Sequence, residues 1–149
     1  MLERSGLGEY GCLRLENQLC FPLYACSREI IKKYRPFLAE LDLTYTQYIA
    51  MMVLWEDKKI SVKQLGEKLF LDSGTLTPVL KSLEGKGLVS RKRSSEDERV
   101  LFAEITEEGE ALRGKAVEIP EKIGCCIPLE DSEAVELYRL LYKVLGSCI

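Results

Sequence analysis

The sequence predicts a mainly helical fold with one small β-hairpin. Three observations lead there. Apolar residues recur at helical spacing in several separate stretches. Two capping-box pairs, Thr44 with Gln47 and Ser61 with Gln64, stand just ahead of such stretches. Two short extended runs, 88–92 and 100–105, flank a charged loop at 93–99.

Taken in order, residues 14–35 read as one long amphipathic helix carrying Leu15, Leu19, Leu23, Ile30, Ile31 and Tyr34. Pro22 lies inside it and is expected to bend it by removing a backbone hydrogen bond. Pro36 is expected to end or kink it, because helix is disfavoured at Arg35. Thr44 and Gln47 open a second helix, about 45–56, with Tyr48, Ile49, Met52, Val53 and Trp55. Ser61 and Gln64 open a short third, about 62–70, with Val62, Leu65 and Leu69 on one face. Asp72 or Ser73 caps a fourth, with Leu76, Val79, Leu80 and Leu83, which stops at Gly85 or Gly87. Pro78 fits that helix best near its first turn, where a missing N–H costs little.

The two extended runs form the hairpin. Thr106 then caps a helix whose first turn holds Glu107 and Glu108, favourable against the helix dipole, and which should reach about residue 123. After Gly124 and Pro128 comes a last helix, about 131–146, lined by Val135, Leu137, Leu140, Leu141, Val144 and Leu145. Two short helices joined by a tight turn and followed by a hairpin make a winged helix-turn-helix. The outer helices are more apolar than those of a monomer need to be, which points to a two-fold homodimer. The chain reads as a single domain over 1–149, with a DNA-binding part at about 45–105 and dimerisation helices at about 14–35 and 107–147.

Composition narrows the function. The 149 residues are 46% hydrophobic and 30% charged, an ordinary globular balance. No apolar run approaches a membrane span, and the first residues lack the apolar stretch of an export signal, so the cytoplasm is the expected location. Histidine is absent, which removes the commonest general base and metal ligand; no enzyme activity, metal or cofactor is expected. The net charge of −3 is unevenly spread. Residues 61–93 hold Lys63, Lys68, Lys81, Lys86, Arg91, Lys92 and Arg93 against Glu67, Asp72 and Glu84, a local +4. DNA responds to the local field, so this segment suits a duplex.

The second helix of such a motif puts its N-terminal residues near base edges. Here those are Asp72, Ser73, Thr75 and Thr77, with Lys81 a turn later. Hydroxyls suit base edges and phosphates alike, and threonine adds a methyl for thymine. Arg93 and Arg99, at the base of the loop, are placed to reach a minor groove or phosphates. The stretch 71–81, Leu-Asp-Ser-Gly-Thr-Leu-Thr-Pro-Val-Leu-Lys, followed by 91–99, Arg-Lys-Arg-Ser-Ser-Glu-Asp-Glu-Arg, resembles the recognition helix and wing of MarR-family regulators. The resemblance spans about Leu15 to Leu145. It implies a six-helix winged helix-turn-helix dimer that binds a pseudo-palindromic operator in double-stranded DNA, as a repressor. In the family's Asp-x-Arg wing motif, matched by Asp97 and Arg99, the aspartate orients the arginine towards the minor groove.

Within that family, residues 15–24, Leu-Glu-Asn-Gln-Leu-Cys-Phe-Pro-Leu-Tyr, resemble the branch that senses organic hydroperoxides. The resemblance implies that Cys20 is the oxidised cysteine, and that Tyr34 and Tyr45 contact it across the dimer. This chain has Thr46 where the branch commonly has proline. The chemistry is sound on its own terms. Peroxides oxidise thiolates, and a free cysteine near pKa ~8.5 is mostly protonated at neutral pH. Without histidine, tyrosine hydroxyls are a reasonable source of hydrogen bonds to the anion. Against this, a cysteine on an apolar helix face is most often a small buried hydrophobe.

Two-cysteine members of the branch form an intersubunit disulfide, and one-cysteine members use an external thiol. The resemblance places the resolving cysteine at Cys125 or Cys126, with Cys125 favoured. Cys26 is about 9 Å along the helix from Cys20, too far for a disulfide without unwinding. Cys12 and Cys148 stand near the termini as bystanders. The competing account keeps the fold but replaces thiol oxidation by a small aromatic effector. A thiol peroxidase lacks a base here, and the adjacent Cys125 and Cys126 do not match zinc spacing.

Overall fold

The structure is a computed structural model that describes residues 10–147; Cys148 lies outside the described residues. The chain divides into two compact units, one running to Ile119 and the other starting at Pro120.

In the first unit, α1 is Cys20–Ala39, preceded by 3-10 turns at Gly11–Leu13 and Leu15–Asn17. It begins later than the apolar spacing predicts because side-chain amides hold the entry as turns. Asn17 donates to the Gly11 carbonyl at 2.8 Å, and Gln18 donates to that of Cys12 at 2.5 Å. Pro22 therefore falls in the first turn, where its missing N–H has no intrahelical partner to lose. Of the two expectations for Pro36, an end or a kink, the end is not what the structure shows. The helix passes through it to Ala39, anchored by the buried Leu38, whose carbonyl also receives the N–H groups of Leu41 and Leu43. Tertiary packing outweighs the local preference.

Helix α2, Tyr45–Asp57, starts at the complete Thr44/Gln47 capping box and runs through the centre of the core. Its Ala50, Met51 and Leu54 are fully buried, and its Trp55 donates from Nε1 to the Gly109 carbonyl at 2.8 Å. Lys58, at φ +60°, turns the chain out of α2 into a strand absent from the sequence reading, β1, Lys59–Ser61. Three residues are too few to show a period. Ser61 ends β1 and also caps α3, Val62–Leu69. The chain then reverses at Phe70, at φ +54°, into α4, Ser73–Gly85, capped by Asp72. Gly66 is required at this corner, since a Cβ would sit 2.7 Å from the Leu71 carbonyl oxygen.

Pro78 lies in the second turn of α4 rather than the first. Gly87, at φ +74°, sends the chain into β2, Val89–Arg93, and then β3, Leu101–Ile105. The sheet is antiparallel in the order β1–β3–β2, with Ala103 opposite both Ile60 and Arg91. The core is Leu38, Leu65, Leu76, Leu80, Leu83 and Val89 around α2.

Thr106 caps α5, Glu107–Ala116, by accepting from the Gly109 N–H. The predicted continuous helix to about 123 instead breaks, and α6 spans Ile119–Gly124. Pro120 explains the break, because it has no N–H for the Ala116 carbonyl and disfavours helix just before it. In the second unit α7, Asp131–Gly146, opens on a Glu130/Glu133 capping box and leaves Val135, Leu137, Leu140, Leu141 and Val144 exposed. The described residues thus carry seven helices in place of the predicted six.

Candidate DNA interface and redox site

All five recognition-helix candidates lie at the N-terminal half of α4 or one turn beyond, and all are exposed. They are not equally free. Asp72 accepts from the Thr75 backbone N–H at 2.8 Å and from the Thr75 hydroxyl at 3.1 Å. Those two bonds hold its carboxyl below the ordinary aspartate value. Asp72 is therefore fully engaged as a cap, and Thr75 offers outward a methyl and an acceptor oxygen. The Thr77 hydroxyl donates to the Ser73 carbonyl at 2.6 Å. The Ser73 hydroxyl and the Lys81 ammonium have no partner among the described residues, so they meet a ligand unencumbered.

The wing is the 94–100 turn between β2 and β3. Ser94 ties it down by accepting from the backbone N–H groups of Glu96 and Asp97. Arg93 donates to the Glu98 carbonyl at 2.5 Å, which makes it a brace across the base of the turn. Asp97 accepts from the Arg99 backbone N–H at 3.0 Å and pairs with its guanidinium at 3.8 Å. The Arg99 side chain remains 95% exposed. Both wing arginines are exposed, but the Arg93 guanidinium is partly engaged by the Glu98 carbonyl, whereas that of Arg99 meets only Asp97, at 3.8 Å. A third arginine, named above only as one of the basic residues, has a structural partner. Arg91 binds Glu84 through Nε at 2.9 Å and Nη2 at 2.5 Å, and its backbone N–H also donates to that carboxylate. With both guanidinium nitrogens on Oε2 and the backbone N–H on Oε1, this clamp joins α4 to β2 and holds the Glu84 carboxyl below its ordinary value.

Several bases of the local +4 segment are likewise occupied by intramolecular pairs, among them Lys68 with Asp57 and Lys92 with Glu104.

At the other site, Cys20 is the first residue of α1 and is exposed, not buried in an apolar face. Tyr34 and Tyr45 are half-buried and pack edge to face, with ring centroids 4.9 Å apart; Tyr48 adds a third ring 6.0 Å from Tyr34. Burial raises the phenol pKa of Tyr34 and Tyr45, with neighbouring tyrosines adding to the shift at Tyr34. Both hydroxyls therefore stay protonated as donors, and neither has a hydrogen-bond partner among the described residues. The structure does not bring Cys20 to them within one chain. Tyr34 follows Cys20 by fourteen residues on the same helix, about 21 Å at 1.5 Å per residue.

Cys125 and Cys126 form the exposed turn after α6. The Cys126 thiol donates to the Lys122 carbonyl at 3.3 Å, and the Cys125 thiol has no such partner. Beside the tyrosines a recess of about 380 Å³ is lined by Ile31, Arg35, Leu38, Leu43, Tyr45 and Thr46, among others.

Comparison with known proteins supplies the remaining context. The sequence profile of the family described as "Transcriptional regulator SarA/Rot" matches residues 29–115. The chain is 50% identical over 133 residues to the organic hydroperoxide resistance transcriptional regulator of Bacillus subtilis, covering 89% of this chain and 90% of the relative. It is 48% identical over 127 residues to the regulator SarZ of Staphylococcus aureus, covering 85% and 86%. Among solved structures it resembles AbfR of Staphylococcus epidermidis. The likeness to reduced, DNA-bound AbfR has a TM-score of 0.77 at 34% identity, covering 91% of this chain and 93% of that one. Against disulfide-formed AbfR, with the same identity and coverage, the TM-score is 0.66.

Proposed function

This chain belongs to the SarA/Rot family of transcriptional regulators, and from that membership we propose that it is a homodimeric repressor which releases its operator when an organic hydroperoxide oxidises Cys20. It is a DNA-binding regulator of the winged-helix MarR type and not an enzyme. No helix among the described residues is long and apolar enough to cross a membrane; a reducing cytoplasm, where thiols start free, is the compartment that suits the mechanism.

The observation that carries the reading is the Tyr34–Tyr45 pair. Two protonated, unpartnered phenols stand together at a half-buried position, about 21 Å along the helix from the thiol they would serve. A second copy of the chain, placed two-fold, supplies the thiol that the pair lacks. The Cys20 thiolate attacks the peroxide oxygen, the O–O bond breaks, and the alkoxide leaves as alcohol after taking a proton. Cys20 becomes a sulfenic acid. A thiol of the second copy, Cys125 ahead of the carbonyl-bound Cys126, then attacks that sulfur and expels water, forming an intersubunit disulfide. Sulfur bonded elsewhere no longer accepts from the tyrosines. A hundredfold weakening of operator binding needs a coupling of about 2.7 kcal/mol, the scale of one rearranged network.

In the reduced dimer the Ser73, Thr75, Thr77 and Lys81 face of α4 reads the major groove. Asp97 steers Arg99 into the minor groove, while Asp72 and Arg93 hold the two elements in shape. The test is to treat the reduced protein with a slight excess of cumene hydroperoxide and to follow it by non-reducing electrophoresis and peptide mass spectrometry. A dimer-sized band with Cys20 joined to Cys125 or Cys126 is expected. Cys20 remaining a free thiol in folded protein overturns the redox reading and favours a small aromatic effector in the recess beside Tyr45.

A further inference from the structure

One buried polar side chain links the tyrosine site to the recognition helix. Gln47 is 6% exposed, a rare buried polar residue in this core. Its carbonyl oxygen closes the capping box of α2 by accepting from the Thr44 backbone N–H at 2.9 Å. Its amide nitrogen donates to the Ser82 hydroxyl of α4 at 2.9 Å, across thirty-five residues of sequence. Lys86, the residue that ends α4, reaches back over the same junction. It pairs with the Asp42 carboxylate at 3.1 Å, donates to the Asp42 carbonyl, and donates to the Gln47 oxygen at 3.5 Å. Asp42 itself is at φ +51°, in the tight loop between α1 and α2. Tyr45 is the first residue of α2, between the cap Thr44 and Gln47.

We propose that Gln47, Ser82, Asp42 and Lys86 form a relay of positioning residues that makes the orientation of α4 depend on the state of the tyrosines, by joining the N-terminus of α2 and the α1–α2 loop to the C-terminal half of the recognition helix. The proposal rests on the redox reading above and names how its signal reaches the DNA-reading element. When Tyr45 shifts, the capped start of α2 shifts with it, and the Gln47 amide either carries α4 along or loses its partner. A buried amide without a partner is unfavourable, so following is preferred. Apolar packing between α2 and α4 alone permits sliding, whereas hydrogen bonds at fixed length and direction do not.

The experiment compares dissociation constants for a duplex selected from a random-sequence pool by the reduced wild-type protein. Each protein is measured reduced and after cumene hydroperoxide, and the ratio of the two constants is the readout. Ser82→Ala leaves the capping box intact and removes the bridge. Its ratio is expected to fall at least fivefold below the wild-type ratio, with Cys20 oxidising at the wild-type rate. Ser82→Thr, which keeps the hydroxyl, should restore the ratio, and Lys86→Met should lower it. A Ser82→Ala ratio within twofold of wild type overturns the relay. So does loss of duplex binding by the reduced variant, which would make Ser82 part of the fold or the DNA surface instead. A wild-type protein whose ratio is itself near one defeats the redox reading first, and the relay with it.

Discussion

The DNA-reading segment and the cysteine–tyrosine site differ in how much of each one chain contains. Helices α3 and α4 and the wing are complete within a single chain: Asp72 caps, Glu84 clamps Arg91, Arg93 braces the turn, and Asp97 holds Arg99. On the proposed reading, the redox site is divided between two chains. Its donors are paired on α1 and α2, and its thiol lies some 21 Å away at the other end of α1. A site finished within one chain can be rigid. A site that two chains must finish is sensitive to how those chains sit, which is what a sensor requires.

The finished region depends most on close packing. At Gly109 a Cβ would lie 2.2 Å from the Leu88 carbonyl oxygen and 2.9 Å from Ile105. Gly109→Ala should therefore displace the start of α5 and lower stability by about 2 kcal/mol or more, read as a fall in the denaturant midpoint without a change in slope. Leu65→Ala, at a fully buried position, should cost about 2–5 kcal/mol. The divided site should behave oppositely. Tyr34→Phe or Tyr45→Phe should leave stability and reduced-state duplex binding nearly unchanged. Each should slow Cys20 oxidation about tenfold, the loss of one charge-assisted hydrogen bond of about 1.5 kcal/mol, measured by mass spectrometry against time.

Smaller effects sharpen the contrast. Arg99→Ala and Lys81→Ala should each weaken duplex binding, and each should lower the slope of log affinity against log salt by about one if its contact is to phosphate. The same change at Arg93 should act through the shape of the wing instead. Ser61→Ala, which deletes the α3 capping box, should cost about 1 kcal/mol. Glu84 gives the gentlest test. Its folded pKa is lowered by Arg91, so its contribution to stability is present above its ordinary pKa and is lost as pH falls through the folded value. The stability gap between wild type and Glu84→Gln should therefore close as pH drops below about 4.

What was legible in the sequence was whatever is decided locally. Thr44, Ser61, Asp72 and Thr106 each cap the helix they stand before, because a cap is a contact across three residues. The features that escaped were those decided at a distance or against a local rule. Helix α1 runs through Pro36 because Leu38 is buried. Strand β1 exists because β3 is there to pair with it. The break before α6 lies at Pro120, which the reading from the Thr106 cap did not take into account. The candidate sites divide in the same way. The motif residues of α4 and the wing could be named from the chain, and so could the Asp72 cap, but not that the Thr75 hydroxyl also donates to it. Gln47 could be read as a capping residue, but nothing along the chain joins it to Ser82.

The central claim is that oxidation at Cys20 controls a DNA-binding surface built elsewhere in the chain. The most direct test is anisotropy of a labelled, selected duplex with wild type and Cys20→Ser, each before and after cumene hydroperoxide. The account predicts that both bind when reduced, that the wild type loses about a hundredfold in affinity on oxidation, corresponding to about 2.7 kcal/mol, and that Cys20→Ser stays bound. Release of the duplex by oxidised Cys20→Ser, or retention by oxidised wild type, would contradict it.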